Sequence, residues 1–177
     1  MTISGSLKRH FFAVFAIGSH KDTPICAAFR SRALTAAERS LALEMFGAGL
    51  DAGPVRLLAI PCWNRAFVAG PRLIVWPAAA LPADFGAAPL AVQATFAHEL
   101  THVWQAQHGV RLLLAKLKAG DSAAAYAYDL TADSNFAALN IEQQAMVVEH
   151  AFLARRGAAA PFPAELYARA SSAWRQG

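Results

Sequence analysis

The 177-residue sequence predicts an α+β fold in which helices dominate and a small antiparallel sheet packs on the longest helix. Three observations predict it. The apolar share is 56% against 16% charged, a balance that supports a buried core and excludes a disordered chain. Much of that apolar share is alanine, which favours helix. Strand-like apolar runs gather between residues 54 and 76, with helix-start and helix-stop signals on either side. The length fits one domain over 1–177, with residues 1–30 as a peripheral segment.

The elements follow in order. Residues 11–18 (FFAVFAIG) come after Lys8, Arg9 and His10. The run has the flavour of a secretion signal, yet it is short and no small-x-small cleavage site follows closely, so it reads as an apolar strand. Thr35 and Glu38 form a capping box that opens a helix to Phe46, stopped near Gly47 and Gly49. Residues 54–60 (PVRLLAI), 66–69 and 72–76 (RLIVW) read as three strands, the last two separated by Gly70-Pro71. The Ala-, Pro- and Gly-rich stretch 77–89 is a loop. A long helix spans 90–108 and stops at Gly109. Residues 110–117 fit helix or strand, and 120–140 read as loop. Asn140 and Gln143 form a second capping box for a helix to Arg156, ended by Gly157 and Pro161. Residues 163–174 fit a terminal helix.

Charge and cysteines narrow the classes. The net charge is +4, but the arginines are scattered and only Arg155 and Arg156 adjoin, so no nucleic-acid partner is expected. No apolar run reaches the roughly 18 residues of a membrane span. Cys26 and Cys62 are too few and too far apart for a zinc ribbon, and two buried thiols in a reducing compartment are expected rather than a disulfide. This reading places the chain in the cytoplasm, with export open only to a secretion system that needs no cleaved signal.

The chemistry concentrates in His98-Glu99-Leu100-Thr101-His102. On a helix, residues four apart differ by about 40° and one turn, so both imidazoles project toward one point. A tetrahedral zinc site needs that arrangement for its first two ligands. Glu99 lies about 100° round from His98, too far for the same stripe but placed to hold a water as general base. Chance would produce this spacing in roughly one per cent of such chains. Two surface histidines and a solvated glutamate are the plain alternative, but Phe96, Leu100, Val103 and Trp104 make the helix apolar, and buried polar groups need partners.

A catalytic zinc takes a third protein ligand and keeps a fourth position open. The downstream candidates are His108, Asp129, Asp133, Glu142, Glu149 and His150. His108 projects nearly opposite His102. Glu142 and Glu149 share one face of the next confident helix, and Glu142, beside the cap, is favoured over Glu149. An acid in the first turn of a helix is also favoured by the helix dipole alone.

The stretch F-A-H-E-L-T-H-V-W-Q, residues 96–105, resembles a group of VgrG-related bacterial metallopeptidases found with type VI secretion, Rhs and other contractile-injection genes. Residues 33–56 (ALTAAERSLALEMFGAGLDAGPVR) and 140–148 (NIEQQAMVV) are similar to two further segments of that group. Together they span residues 33–152, some two-thirds of the chain. The resemblance implies a zincin-like fold, with His98 and His102 as zinc ligands, Glu99 as base and Glu142 as the third, gluzincin-type ligand. It also implies a peptide or protein substrate and secretion-system proteins as partners.

One departure concerns the group that orients a ligand histidine. Gluzincins often carry an aspartate four residues after the third ligand, and here that position is Met146. Glu149, Asp129 or a backbone carbonyl must substitute. The expected mechanism has zinc lowering the pKa of a water, and Glu99 taking its proton and passing it to the leaving group. Tyr126, Tyr128, His150 and His108 are candidate oxyanion donors. The competing functions are a non-catalytic zinc-stabilised module of the same apparatus and an amidase acting on cell-wall peptides.

Overall fold

The computed structural model of the protein describes residues 29–120 and 122–175. The expected strand over 11–18 and Cys26 lie outside them. Strand β1 (Arg30–Ala33) leads into helix α1 (Ala36–Phe46). Strands β2 (Arg56–Ile60), β3 (Phe67–Val68) and β4 (Leu73–Pro77) follow. The remainder is helical: α2 (Leu90–Gln107), α3 (Leu112–Ala119), α4 (Ala123–Tyr126), α5 (Ile141–Arg155), α6 (Ala164–Ala170) and α7 (Ser172–Arg175). The architecture is α+β, with helices and a small sheet.

The sheet is mixed, not antiparallel as expected. Among the described residues its order is β1-β2-β4-β3. β1 pairs antiparallel with β2, and β3 antiparallel with β4. β2 and β4 run parallel, with Arg56 opposite Leu73 and Ile60 opposite Pro77. The reason is topological. The two-residue β3 sits at the outer edge, so the chain reverses twice between β2 and β4 and returns in its original direction. β1 was not legible as a strand, because Arg-Ser-Arg-Ala is polar and mostly exposed. It is an edge strand held by its ladder and by Arg32.

Arg32 meets the first capping box. Thr35 Oγ1 accepts from the Glu38 N–H at 3.1 Å, and Glu38 Oε2 accepts from the Thr35 N–H at 2.7 Å. The same carboxylate takes both Arg32 guanidinium nitrogens at 2.7 Å and the Phe85 N–H at 3.0 Å. Glu38 is fully buried, and these donors satisfy its charge.

The core runs from α1 through Leu57, Ile74 and Trp76 of the sheet to Phe96, Leu100 and Val103 of α2 and Val147, Val148 and Phe152 of α5. β3 and β4 lie against α2. Phe85 stacks on Phe96 with ring centroids 4.2 Å apart and makes an edge contact with Trp76. The terminal helix predicted over 163–174 is split into α6 and α7. Trp174 of α7 is buried and donates to the Met45 carbonyl at 3.1 Å. Gly49 permits that contact, because a Cβ there would stand 2.4 Å from the Trp174 carbonyl oxygen.

Three local expectations change. The stretch 110–117 is helical from Leu112 on: α3 has Leu113, Leu114 and Leu117 exposed and none of its residues buried. The predicted loop 120–140 contains, among the described residues, α4 and a 3₁₀ turn, Phe136–Ala138. Cys62, expected to be buried, is exposed in the turn after β2 with φ 57°. No described helix is long and apolar enough to cross a membrane.

Candidate metal centre

The site joins α2 and α5, which pack along each other. Both helices close in the same way. After α2, the Gly109 N–H donates to Ala106 and the Val110 N–H to Gln105, with Gly109 at φ 85°. After α5, Gly157 donates to Ala154 and Ala158 to Leu153, with Gly157 at φ 70°. Each is a Schellman closure on a glycine that tolerates the left-handed region. The start of α5 is the expected capping box: Asn140 Oδ1 accepts from the Glu142 and Gln143 N–H groups at 2.9 Å, and Gln143 Oε1 accepts from the Asn140 N–H at 3.0 Å. This cap sets the position of Glu142 in the first turn.

The structure brings His98, His102 and Glu142 together as one buried group whose donor atoms lie within 4.8 Å of one another. Glu142 Oε2 is 3.5 Å from the Nε2 of His98 and 3.5 Å from the Nε2 of His102. These separations are long for a hydrogen bond. They are close to the edge of a tetrahedron with bonds of zinc–nitrogen length, about 3.3–3.4 Å. Oε2 of the buried Glu142 carboxylate has no hydrogen-bond partner, while Oε1 meets the Lys116 ammonium as an ion pair. Glu38 shows the contrast, since its equally buried charge is fully paired. Two imidazole nitrogens and a carboxylate oxygen facing one point, with that oxygen unpartnered, fit a divalent cation.

The far side of each ring is also held. His102 Nδ1 lies 2.8 Å from Gln105 Oε1. Gln105 Nε2 donates to the Ile141 carbonyl and to Gln144 Oε1, both at 2.9 Å. With its amide donor thus committed, Gln105 presents its oxygen to His102, which places the ring proton on Nδ1 and the lone pair on Nε2. His98 Nδ1 lies 3.1 Å from Glu149 Oε2. Glu149 therefore stands behind His98, while Glu142 stands before it. The position left by Met146 is filled by Glu149 on one ring and Gln105 on the other. Gln105 escaped the sequence reading, although its signal is simple: it sits three residues after His102, on the same helix face.

Glu99 is buried, and its Oε2 has no hydrogen-bond partner. Burial pushes its carboxyl up, against the pull of His102, His98 and Lys116. Burial alone would lower the His98 imidazole, but Glu142 and Glu149 outweigh it and hold it up at about 10. Burial would raise the Glu142 carboxyl, yet His102 and His98 hold it well below the usual range. Among protein groups alone the cluster shares protons, and a divalent cation would take their place.

The other candidates are elsewhere. Asp129, Asp133 and His108 are exposed, and His108 Nδ1 lies 2.8 Å from the Trp104 carbonyl of its own helix. The Tyr128 hydroxyl is 2.6 Å from His150 Nδ1 and 2.9 Å from the Tyr167 hydroxyl. That network commits the Tyr128 hydroxyl, and burial pushes it up. Lys116, which the sequence did not single out, has its Nζ 3.0 Å from Glu142 Oε1.

Comparison with known proteins gives two matches. The type VI secretion system spike protein VgrG2b of Pseudomonas aeruginosa is 35% identical over 153 residues, covering 80% of this chain. The chain spans only 14% of that protein's length. The solved effector domain of Pseudomonas aeruginosa VgrG2b superposes with a TM-score of 0.61 at 33% identity, covering 81% of this chain and 83% of that one. No family model matches the sequence.

Proposed function

Because the chain belongs to the family of the Pseudomonas aeruginosa VgrG2b effector domain, we propose that it is a type VI secretion effector acting as a zinc-dependent hydrolase, with peptides or proteins as substrate. In this reading it is a single zincin-like domain that works with other proteins of the secretion apparatus and acts after export. The observation that carries the reading is the Glu142 oxygen, equidistant from two imidazole nitrogens and bonded to neither.

His98, His102 and Glu142 would hold the ion, and the described group contributes three residues, which leaves a fourth position for water or substrate. A zinc ion held there would supply Lewis-acid chemistry, acidifying a water and polarising a carbonyl. Glu99, adjacent in sequence to the first ligand and raised by burial, would accept a proton from such a water and pass it to the leaving group. Gln105 and Glu149 hold the two rings in the tautomer and orientation that this requires.

A pair of variants tests the reading. His98→Ala loses bound zinc and stability together. Glu99→Ala keeps metal content and fold but loses hydrolysis of a peptide library by about 10²–10⁴-fold. Full activity in Glu99→Ala would overturn the catalytic reading and leave zinc as a staple between α2 and α5. Purified protein without stoichiometric metal would overturn both.

A further inference from the structure

Lys116 stands at the rim of this site, and its position differs from that of the other charged groups there. It belongs to α3, the helix that follows α2 after the Gly109 turn. Its side chain is 39% exposed, whereas Glu142, which it approaches, is 1% exposed. The contact is to one oxygen only. Nζ is 3.0 Å from Oε1, while Oε2 faces the two imidazole nitrogens. The two oxygens of Glu142 are thus divided between the Lys116 ammonium and the point that the two imidazole nitrogens face.

A carboxylate can ligate through one oxygen or chelate through both. A second oxygen on the metal would occupy the fourth position, which a catalytic site must leave open. We propose that Lys116 is a positioning residue that holds Glu142 to ligation through Oε2 alone and so keeps the fourth position open. This rests on the metal reading above. Removing the ammonium frees Oε1 to swing onto the ion, converting an open four-coordinate site into a more crowded one. An arginine at 116 preserves the cation and the division of the two oxygens.

The test uses Co²⁺ as an optical probe in the full 177-residue chain, because its visible absorption weakens strongly as coordination rises above four. Wild type and Lys116→Arg are expected to give an intense four-coordinate band. Lys116→Met, at a half-exposed position with little consequence for the core, is expected to bind Co²⁺ with a band several-fold weaker and shifted. A Lys116→Met spectrum equal to wild type would overturn the proposal. So would loss of Co²⁺ uptake in a folded Lys116→Met, which would make Lys116 a requirement for assembling the site rather than a determinant of its coordination. A weak, high-coordinate band in wild type overturns it while leaving metal binding intact. Failure of wild type to bind Co²⁺ at all sinks the metal reading itself.

Discussion

Removing the metal with a chelator should lower the melting temperature substantially, and the geometry sets the scale. The ion would be bound only by the folded arrangement, since His98 and His102 come from α2 and Glu142 from α5. Binding to the folded state alone stabilises it by about 4 kcal/mol when free metal is a thousand times the dissociation constant. For a chain of this size each kcal/mol moves the midpoint by about 2–4 °C, so a shift of about 8–16 °C is expected. The chelated protein is expected to stay folded, because Lys116 stands beside the buried Glu142 charge. The assay is thermal unfolding by circular dichroism with and without EDTA, in wild type, His98→Ala and Glu142→Gln. Both variants should melt at one temperature irrespective of EDTA. A wild-type midpoint that EDTA does not move, or a His98→Ala protein that remains EDTA-sensitive, would refute the assignment of these ligands.

Three other outcomes are expected. Gln105→Leu removes the acceptor behind His102 and should weaken metal affinity by about 10–100-fold, measured by competition with a chelating dye. Glu38→Ala leaves Arg32 and the Phe85 N–H without their shared acceptor and should cost about 3–5 kcal/mol in urea unfolding, with metal content unchanged. Glu44 is held below its ordinary value of 4.5, first by hydrogen bonding from Arg156, whose nitrogens lie 2.6 and 2.8 Å from its oxygens. Its folded value is depressed, so its contribution is complete above the ordinary value and is lost as pH falls through the folded one. The pair is about one-third exposed on each side, so Glu44→Gln should cost no more than about 1 kcal/mol at pH 7. The difference from wild type should close in strong acid; a gap that persists there would refute the pairing.

Much of the helical frame was legible because its signals are local. The Thr35–Glu38 and Asn140–Gln143 boxes and the stops at Gly109 and Gly157 each lie within a few residues, and the structure contains all of them. The sheet was less legible. The direction of β4 depends on where β3 lands, and a two-residue strand carries no pattern that says so. α3 was ambiguous because Leu112-Leu113-Leu114 is apolar on every face and buries none of its residues. The surroundings of the site were legible only in part. Glu149 could be named as a partner for a histidine, but whether it stood before or behind the ring required coordinates. Gln105 and Lys116 resemble ordinary polar residues of a helix until their distances to His102 and Glu142 are known.

The sequence by itself determined that two imidazoles share one helix face with a glutamate beside them, since helical spacing alone does this for His98, Glu99 and His102. It also determined where α5 begins, and hence that Glu142 lies in a capped first turn. Only the tertiary structure decided that α2 and α5 lie side by side, that Glu142 Oε2 falls 3.5 Å from both rings, and that Glu149, Gln105 and Lys116 each take a different side of the cluster. The reason is range. A cap or an i to i+4 pair is set by the backbone of one helix, whereas the gap between two helices is set by the core packed around them.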